Sequence, residues 1–124
     1  MREIKFRVYD KDLKKMRYLN EPHDSIGFRE DGNAYYHNLQ TGLGEWFSDL
    51  MQFTGLRDKK GVEIYEGDIV KNKLSFMSLE NVDVVEFNEV DCSFMLGKGK
   101  RHFNKNLVLE VIGNIYENKE LLEK

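Results

Sequence analysis

Apolar and polar residues alternate from the start of the chain, with Ile4, Phe6 and Val8 set against Glu3, Lys5, Arg7 and Tyr9. A period of two is that of a strand with one buried and one wet face, and it puts Arg7 on the wet side. Asp10–Lys14 is polar and turn-like, and Met16 and Tyr18 resume the alternation. Residues 2–19 therefore read as a β-hairpin.

The pattern is weaker over 20–48. Asn20–Asp24 is a loop around Pro22, Ile26 and Phe28 alternate briefly, and Glu30–Asn33 is a turn leading to a returning strand at Ala34–His37. Thr41–Gly44 is a further loop before Glu45-Trp46-Phe47. The segment reads either as two short strands or as mostly irregular backbone.

Beyond it, Met51–Phe53 is a short apolar piece and Gly55–Gly61 a polar surface turn bounded by glycines. Val62–Tyr65 is strand-like, Glu66-Gly67-Asp68 makes a corner, and Ile69-Val70 opens the next strand. Glycine at such a corner takes positive φ without Cβ strain, and neighbouring acids can accept hydrogen bonds from the turn backbone. Lys73–Asn81 is polar with scattered apolar residues. Val82–Phe87 is a strand with apolar residues on both parities, which predicts burial on both faces or a bulge. Cys92–Leu96 and Leu107–Ile112 are further strands, separated by a hairpin or loop at Gly97–Arg101. Asn118–Lys124 predicts one or two helical turns capped by Asn118.

The count is roughly six to nine short strands. The fold class is all-β or β-dominated α+β: a small barrel or strongly twisted antiparallel sheets, with a short C-terminal helix. One domain over 1–124 is expected, with an N-terminal hairpin subregion at 1–48 and a barrel-like part at 49–124.

Composition adds bounds. A chain of 124 residues that is 40% hydrophobic and 12% aromatic is globular and long enough to bury a core. The net charge of −3 leaves no general attraction for phosphate. Cys92 is the single cysteine, so no internal disulfide forms, in keeping with a reducing compartment. No apolar run approaches membrane-spanning length, and a cytoplasmic protein is expected.

Candidate chemistry is sparse. His23, His37 and His102 are far apart and lack ligand spacing, so ordinary surface histidines are favoured over a composite metal site with Cys92. Cys92 opens an apolar strand beside Glu86, Glu89 and Asp91, which suits a small buried hydrophobe better than a nucleophile. Gly97-Lys98-Gly99-Lys100 lacks the spacing and following helix of a phosphate loop. Glu63, Glu66 and Asp68 read as turn chemistry rather than an acid/base pair. The best nucleic-acid candidate is Lys98, Lys100, Arg101 and Lys105, with His102 and with Phe103 as a stacking surface; Arg57, Lys59 and Lys60 could extend it. Trp46 is favoured as a core residue, with a partner interface as the alternative.

Four blocks occur in order across the chain: Arg2-Glu3-Ile4-Lys5-Phe6-Arg7, Leu50–Asp58, Gly61–Val70, and Val111-Ile112-Gly113-Asn114-Ile115-Tyr116-Glu117-Asn118. They resemble the YopX family, short proteins encoded by phages and prophages of bacteria. Val8-Tyr9 stands where an Ala-Trp pair is frequent in that family, and 21–48 and 72–106 carry no matching motif. The resemblance implies a YopX-like domain with a β-rich fold, a tendency to self-associate, a bacterial cytoplasm and a phage or prophage origin. It brings no catalytic residue, cofactor or metal. The expectation is a non-enzymatic accessory protein acting by protein contacts as a homo-oligomer, with an unknown host or phage partner. Nucleic-acid binding through 98–105 is the alternative.

Overall fold

The N-terminal hairpin is formed by β1 (Phe6–Asp10) and β2 (Lys15–Tyr18), in register from Arg7↔Tyr18 to Asp10↔Lys15. Its turn is closed by Asp10, whose Oδ1 accepts the backbone N–H of Asp12 (3.0 Å) and of Leu13 (3.1 Å). Arg7 departs from the period-two expectation. It is only 3% exposed, while Val8, on the opposite face, is also buried. β1 is a central strand, paired with β2 along one edge and with Met51 and Gln52 along the other, and it is buried on both faces, Val8 and Asp10 on one and Arg7 on the opposite one. The Arg7 guanidinium lies 6.0 Å from the Tyr18 ring, an aromatic face that suits a buried cation.

This computed structural model describes residues 3–19, 22, 24–31, 33–42, 44–47, 49–97 and 101–122. They divide into two compact units, Met1–Gln52 and Phe53–Lys124. The segment that the sequence left open, in the first unit, is a three-stranded antiparallel sheet of β3 (Asp24–Phe28), β4 (Ala34–Asn38) and β5 (Gly44–Phe47), with β4 central. Ala34, Tyr36 and Asn38 are buried along one face of β4, whereas Tyr35 points the other way into solvent. Asp24 ties the sheet together: its Oδ1 accepts the Tyr36 hydroxyl at 2.5 Å and Asn38 Nδ2 at 2.8 Å. Asn38 Oδ1 in turn accepts the backbone N–H groups of Gln40 and Thr41, which shapes the β4–β5 turn.

Strand β6 (Met51–Arg57) begins in the first unit and continues in the second, where it pairs with β7 (Glu63–Tyr65). The expected turn at Gly55–Gly61 is therefore shorter than its glycines suggest. Gly55, at φ 90, lies within β6 where the register shifts, and the turn itself starts at Asp58. Then come β8 (Asp68–Leu74), β9 (Asn81–Asn88), β10 (Ser93–Leu96), β11 (Arg101–His102) and β12 (Leu107–Asn114). They make one antiparallel sheet in the order β11-β10-β9-β8-β12, and the protein is strand-dominated with a curled, half-barrel sheet. Ile64, Val70, Val85 and Leu96 form its core, with Phe103, Leu107, Leu109 and Val111 packed against them. The expected corner holds. Gly67 has φ 86, and the buried Asp68 carboxylate accepts the Tyr65 backbone N–H at 2.8 Å.

The edge strand β12 is covered by the Asp58–Gly61 turn. Lys59 donates its backbone N–H to the Leu109 carbonyl at 3.0 Å, and Val111 donates its own to Asp58 Oδ2 at 3.0 Å, where the β8–β12 register shifts. Lys60 Nζ adds an ion pair with Glu110 at 2.8 Å. A covered edge cannot recruit a foreign strand. The predicted burial of β9 on both parities is partial: its residues are mostly half-buried and Val85 is fully so.

The expected short C-terminal helix is there as a 3-10 turn at Lys119–Leu122. The expected Asn118 side-chain cap is not: the Leu121 N–H is accepted by the Asn118 backbone carbonyl at 3.0 Å. Asn118 Oδ1 instead accepts the Asn114 backbone N–H at 3.2 Å, bracing the end of β12. Cys92 is exposed rather than buried, because it sits at φ 51 in the turn and the strand starts one residue later.

Candidate functional site

Of the predicted nucleic-acid cluster, the structure describes Arg101, His102, Phe103 and Lys105. Lys98 and Lys100 lie outside the described residues. Arg101 is half-buried and donates Nη1 to Asn72 Oδ1 at 3.4 Å, within a network where Asn72 Nδ2 reaches Asp83 Oδ2 at 3.1 Å. Phe103 packs on the core, so its ring is not presented as a stacking platform. Lys105 is exposed on the turn before β12. The second basic group is drawn into ion pairs, Arg57 with Glu63 at 3.2 Å and Lys59 and Lys60 with Glu110.

Among the described residues no group of three or more His, Cys, Asp and Glu side chains could hold a metal ion. His37 is on β4, His102 on β11 and Cys92 in the turn before β10, while His23 lies outside the described residues. Of the central carboxylates, Asp68 is engaged with the Tyr65 backbone, and Glu63 accepts from Arg57 and from the Tyr65 hydroxyl (3.4 Å).

Trp46 is where the structure departs furthest from expectation. It is 55% exposed, on the outward face of β5. Its ring lies 5.1 Å from that of Tyr35, its cross-strand neighbour, and the Arg29 guanidinium rests over it at 5.0 Å. Gly44, next on the same face, leaves the space that the Tyr35 hydroxyl fills.

Beside Trp46 runs an open groove of about 510 Å³, confined to residues of the first unit. All four residues of β5 line it, together with Tyr9–Asp12 and Asp49. Side chains of a strand alternate between faces, so consecutive residues line one groove together only when the strand presents its edge to it. Among the described residues β5 pairs with β4 alone, leaving that edge without a strand partner. Four carboxylates, those of Asp10, Asp12, Glu45 and Asp49, surround the groove. Arg17 Nη1 spans two of them, 3.3 Å from Asp10 Oδ2 and 3.1 Å from Glu45 Oε2. Lys11 Nζ stands 3.8 Å from Asp49 Oδ2, with both side chains largely exposed. The Leu13 backbone N–H, aided by that of Asp12 and by Arg17, outweighs burial and holds the Asp10 carboxyl below its usual range.

A second exposed feature belongs to the other unit. Phe76 (74% exposed), Met77 and Leu79 project from the loop between β8 and β9. In the sequence they read only as scattered apolar residues, since three in the four positions 76–79 have neither strand nor helix period.

These features define a small antiparallel β protein. The chain belongs to the YopX family, whose model, described as YopX protein, matches residues 5–123. It is similar in structure to the yopX protein of Bacillus subtilis, with a TM-score of 0.63 and 22% identity over 94% of this chain and 96% of that one. It is also similar to a protein of Enterococcus faecalis, with a TM-score of 0.62 and 24% identity over 98% of this chain and 99% of that one. At such identities the likeness is one of fold. Among curated proteins, none matches the chain. Among the described residues no helix is long and apolar enough to cross a membrane.

Proposed function

We propose that this chain is a non-catalytic accessory protein of phage or prophage origin, working in the bacterial cytoplasm through protein contacts and self-association. The observation that carries the reading is the apolar tip at Phe76, Met77 and Leu79, adjacent large side chains held in solvent. Burying such a group against another protein surface gains roughly 1.5–3 kcal/mol per side chain, before the costs of association. Scattered single apolar residues need no explanation, but a cluster at a loop tip suits an interface.

Mass measurement in solution across a wide concentration range tests it. Association that weakens in Phe76→Ser and Leu79→Ser supports the reading, and a strict monomer at every concentration overturns self-association. Nucleic-acid binding through Arg101 and Lys105, with Lys98 and Lys100, is the alternative. Its mark is salt-sensitive binding lost when those cations are neutralised.

A further inference from the structure

We infer that the groove along β5 takes up an extended peptide segment rich in lysine or arginine, which adds to the three-stranded sheet as a fourth strand beside β5. The inference rests on the protein-contact reading above and gives that partner its chemistry.

Three observations support it. All four residues of β5 line the groove, and β5 is the outer strand of its sheet, so its edge away from β4 offers backbone N–H and C=O groups as a ladder to an incoming strand. The contrast with β12 is instructive: there the Asp58–Gly61 turn and the Asp58 carboxylate occupy the edge, whereas β5 is bordered by open volume. Four residues of strand extend over roughly 13 Å, long enough to specify a short segment in one register.

The charge around the edge selects the partner. Arg17 is committed between Asp10 and Glu45, which leaves Asp12 and Asp49 to face an incoming chain. Lys11 near Asp49 shows that the groove accommodates an ammonium, and so loose an exposed pair exchanges readily for another. Trp46 supplies the third element. It already carries the Arg29 guanidinium, and the strand added next to β5 would place its own side chains beside the indole on the same face. An acidic or purely apolar strand would find neither the carboxylates nor the cation-accepting ring complementary.

The test uses the full chain and four capped hexapeptides: alternating lysine and valine, the same sequence N-methylated on one or on the other set of alternate amides, and alternating glutamate and valine. Binding is followed by titration calorimetry and by backbone amide shifts. The lysine peptide should bind and shift the amides of residues 44–47. N-methylation in the phase that blocks the ladder should weaken it about tenfold or more, and the glutamate peptide should not bind. The double charge reversal Asp12→Lys with Asp49→Lys, both at exposed sites, should weaken the lysine peptide by a similar factor. Equal binding of the plain and both N-methylated peptides would reduce the effect to charge adsorption and overturn the added strand. So would shifts confined to residues outside 44–47, or no binding of the lysine peptide at low salt. Mass measured on the same samples keeps the two readings apart. A chain that self-associates but ignores the peptide loses only this inference, whereas a monomer that binds it loses only self-association.

Discussion

Asp58 and Val111 are joined across fifty-three positions of sequence, Val111 donating its backbone N–H to Asp58 Oδ2 at 3.0 Å. The other oxygen, Oδ1, accepts the N–H groups of Lys60 and Val62, each at 2.9 Å. One buried carboxylate thus shapes a turn and fastens it to the edge of β12. Asp58→Asn keeps an acceptor for the turn but sets an amide N–H₂ against the Val111 N–H. It should cost about 1–3 kcal/mol, read as a lower denaturation midpoint.

Acid should destabilise the protein through the same group. Burial disfavours the Asp58 carboxylate, but the Val111, Val62 and Lys60 N–H groups outweigh it and hold its pKa below the ordinary value. A carboxyl depressed on folding contributes stability that is present above its unfolded pKa, near about 4, and is lost as pH falls through the folded value. Glu110, lowered by Lys60, acts in the same direction from a more exposed and better screened position. Denaturant titrations from neutral pH downward should show stability falling below about pH 4, and the fall should be shallower in Asp58→Asn.

Gly113 abuts Asn118. A Cβ at residue 113 would stand 2.6 Å from Asn118 Oδ1 and 2.7 Å from its Cβ and Cγ. Gly113→Ala should therefore cost roughly 1–3 kcal/mol, and Asn118→Gly in the same chain should return part of it. A thermal melt of the two single variants and the double checks this coupling.

Trp46 is the single tryptophan, so its fluorescence reports one site. The exposed ring should emit with a solvent-like maximum and be readily quenched by acrylamide in the native state. Trp46→Ser should cost about 1 kcal/mol, the scale of an exposed aromatic and cation–π contact, not the roughly 3–5 kcal/mol of a core aromatic. Chemical denaturation of the variant measures it.

The Cys92 thiol, exposed in its turn, should react with a thiol reagent without denaturant. A buried thiol would wait for unfolding, and comparing reaction extents in buffer and in denaturant distinguishes the two.

The first hairpin and the Gly67 corner were legible because their determinants are local: a period-two run, a polar turn, a glycine followed by an acid. The sheet of β3–β5 was faint because its outward face carries Tyr35, His37 and Trp46 while Asn38 is buried, so polarity does not track burial along it. Arg7 was misassigned since alternation identifies faces and not how many of them are covered. Trp46 followed the habit of large aromatics, which an outward position on a short edge strand overrides. The bond between Asp58 and Val111 has no local signal, and neither does the groove, which needs β5 and the Tyr9–Asp12 turn to meet. Family resemblance located the central block well and was silent on 21–48, where the groove's aromatic strand lies.

Strand order also sets the timing of folding. In β3–β4–β5 each strand pairs with its immediate successor, so short loops close first and the sheet can form on the time scale of hairpins, about 1–10 μs. The half-barrel is different. Pairing β8 with β12 joins Asp68 to Asn114 and Leu74 to Leu107, after β9, β10 and β11 have intervened. Its chain entropy is spent before its contacts are gained, which slows closure. Until β12 arrives, Leu107, Leu109 and Val111 are missing from the core, and the outer edge of β8 is bare. Refolding should accordingly show an early kinetic phase insensitive to substitutions in β12 and a late one that they slow. Aggregation during refolding should be worst between the two.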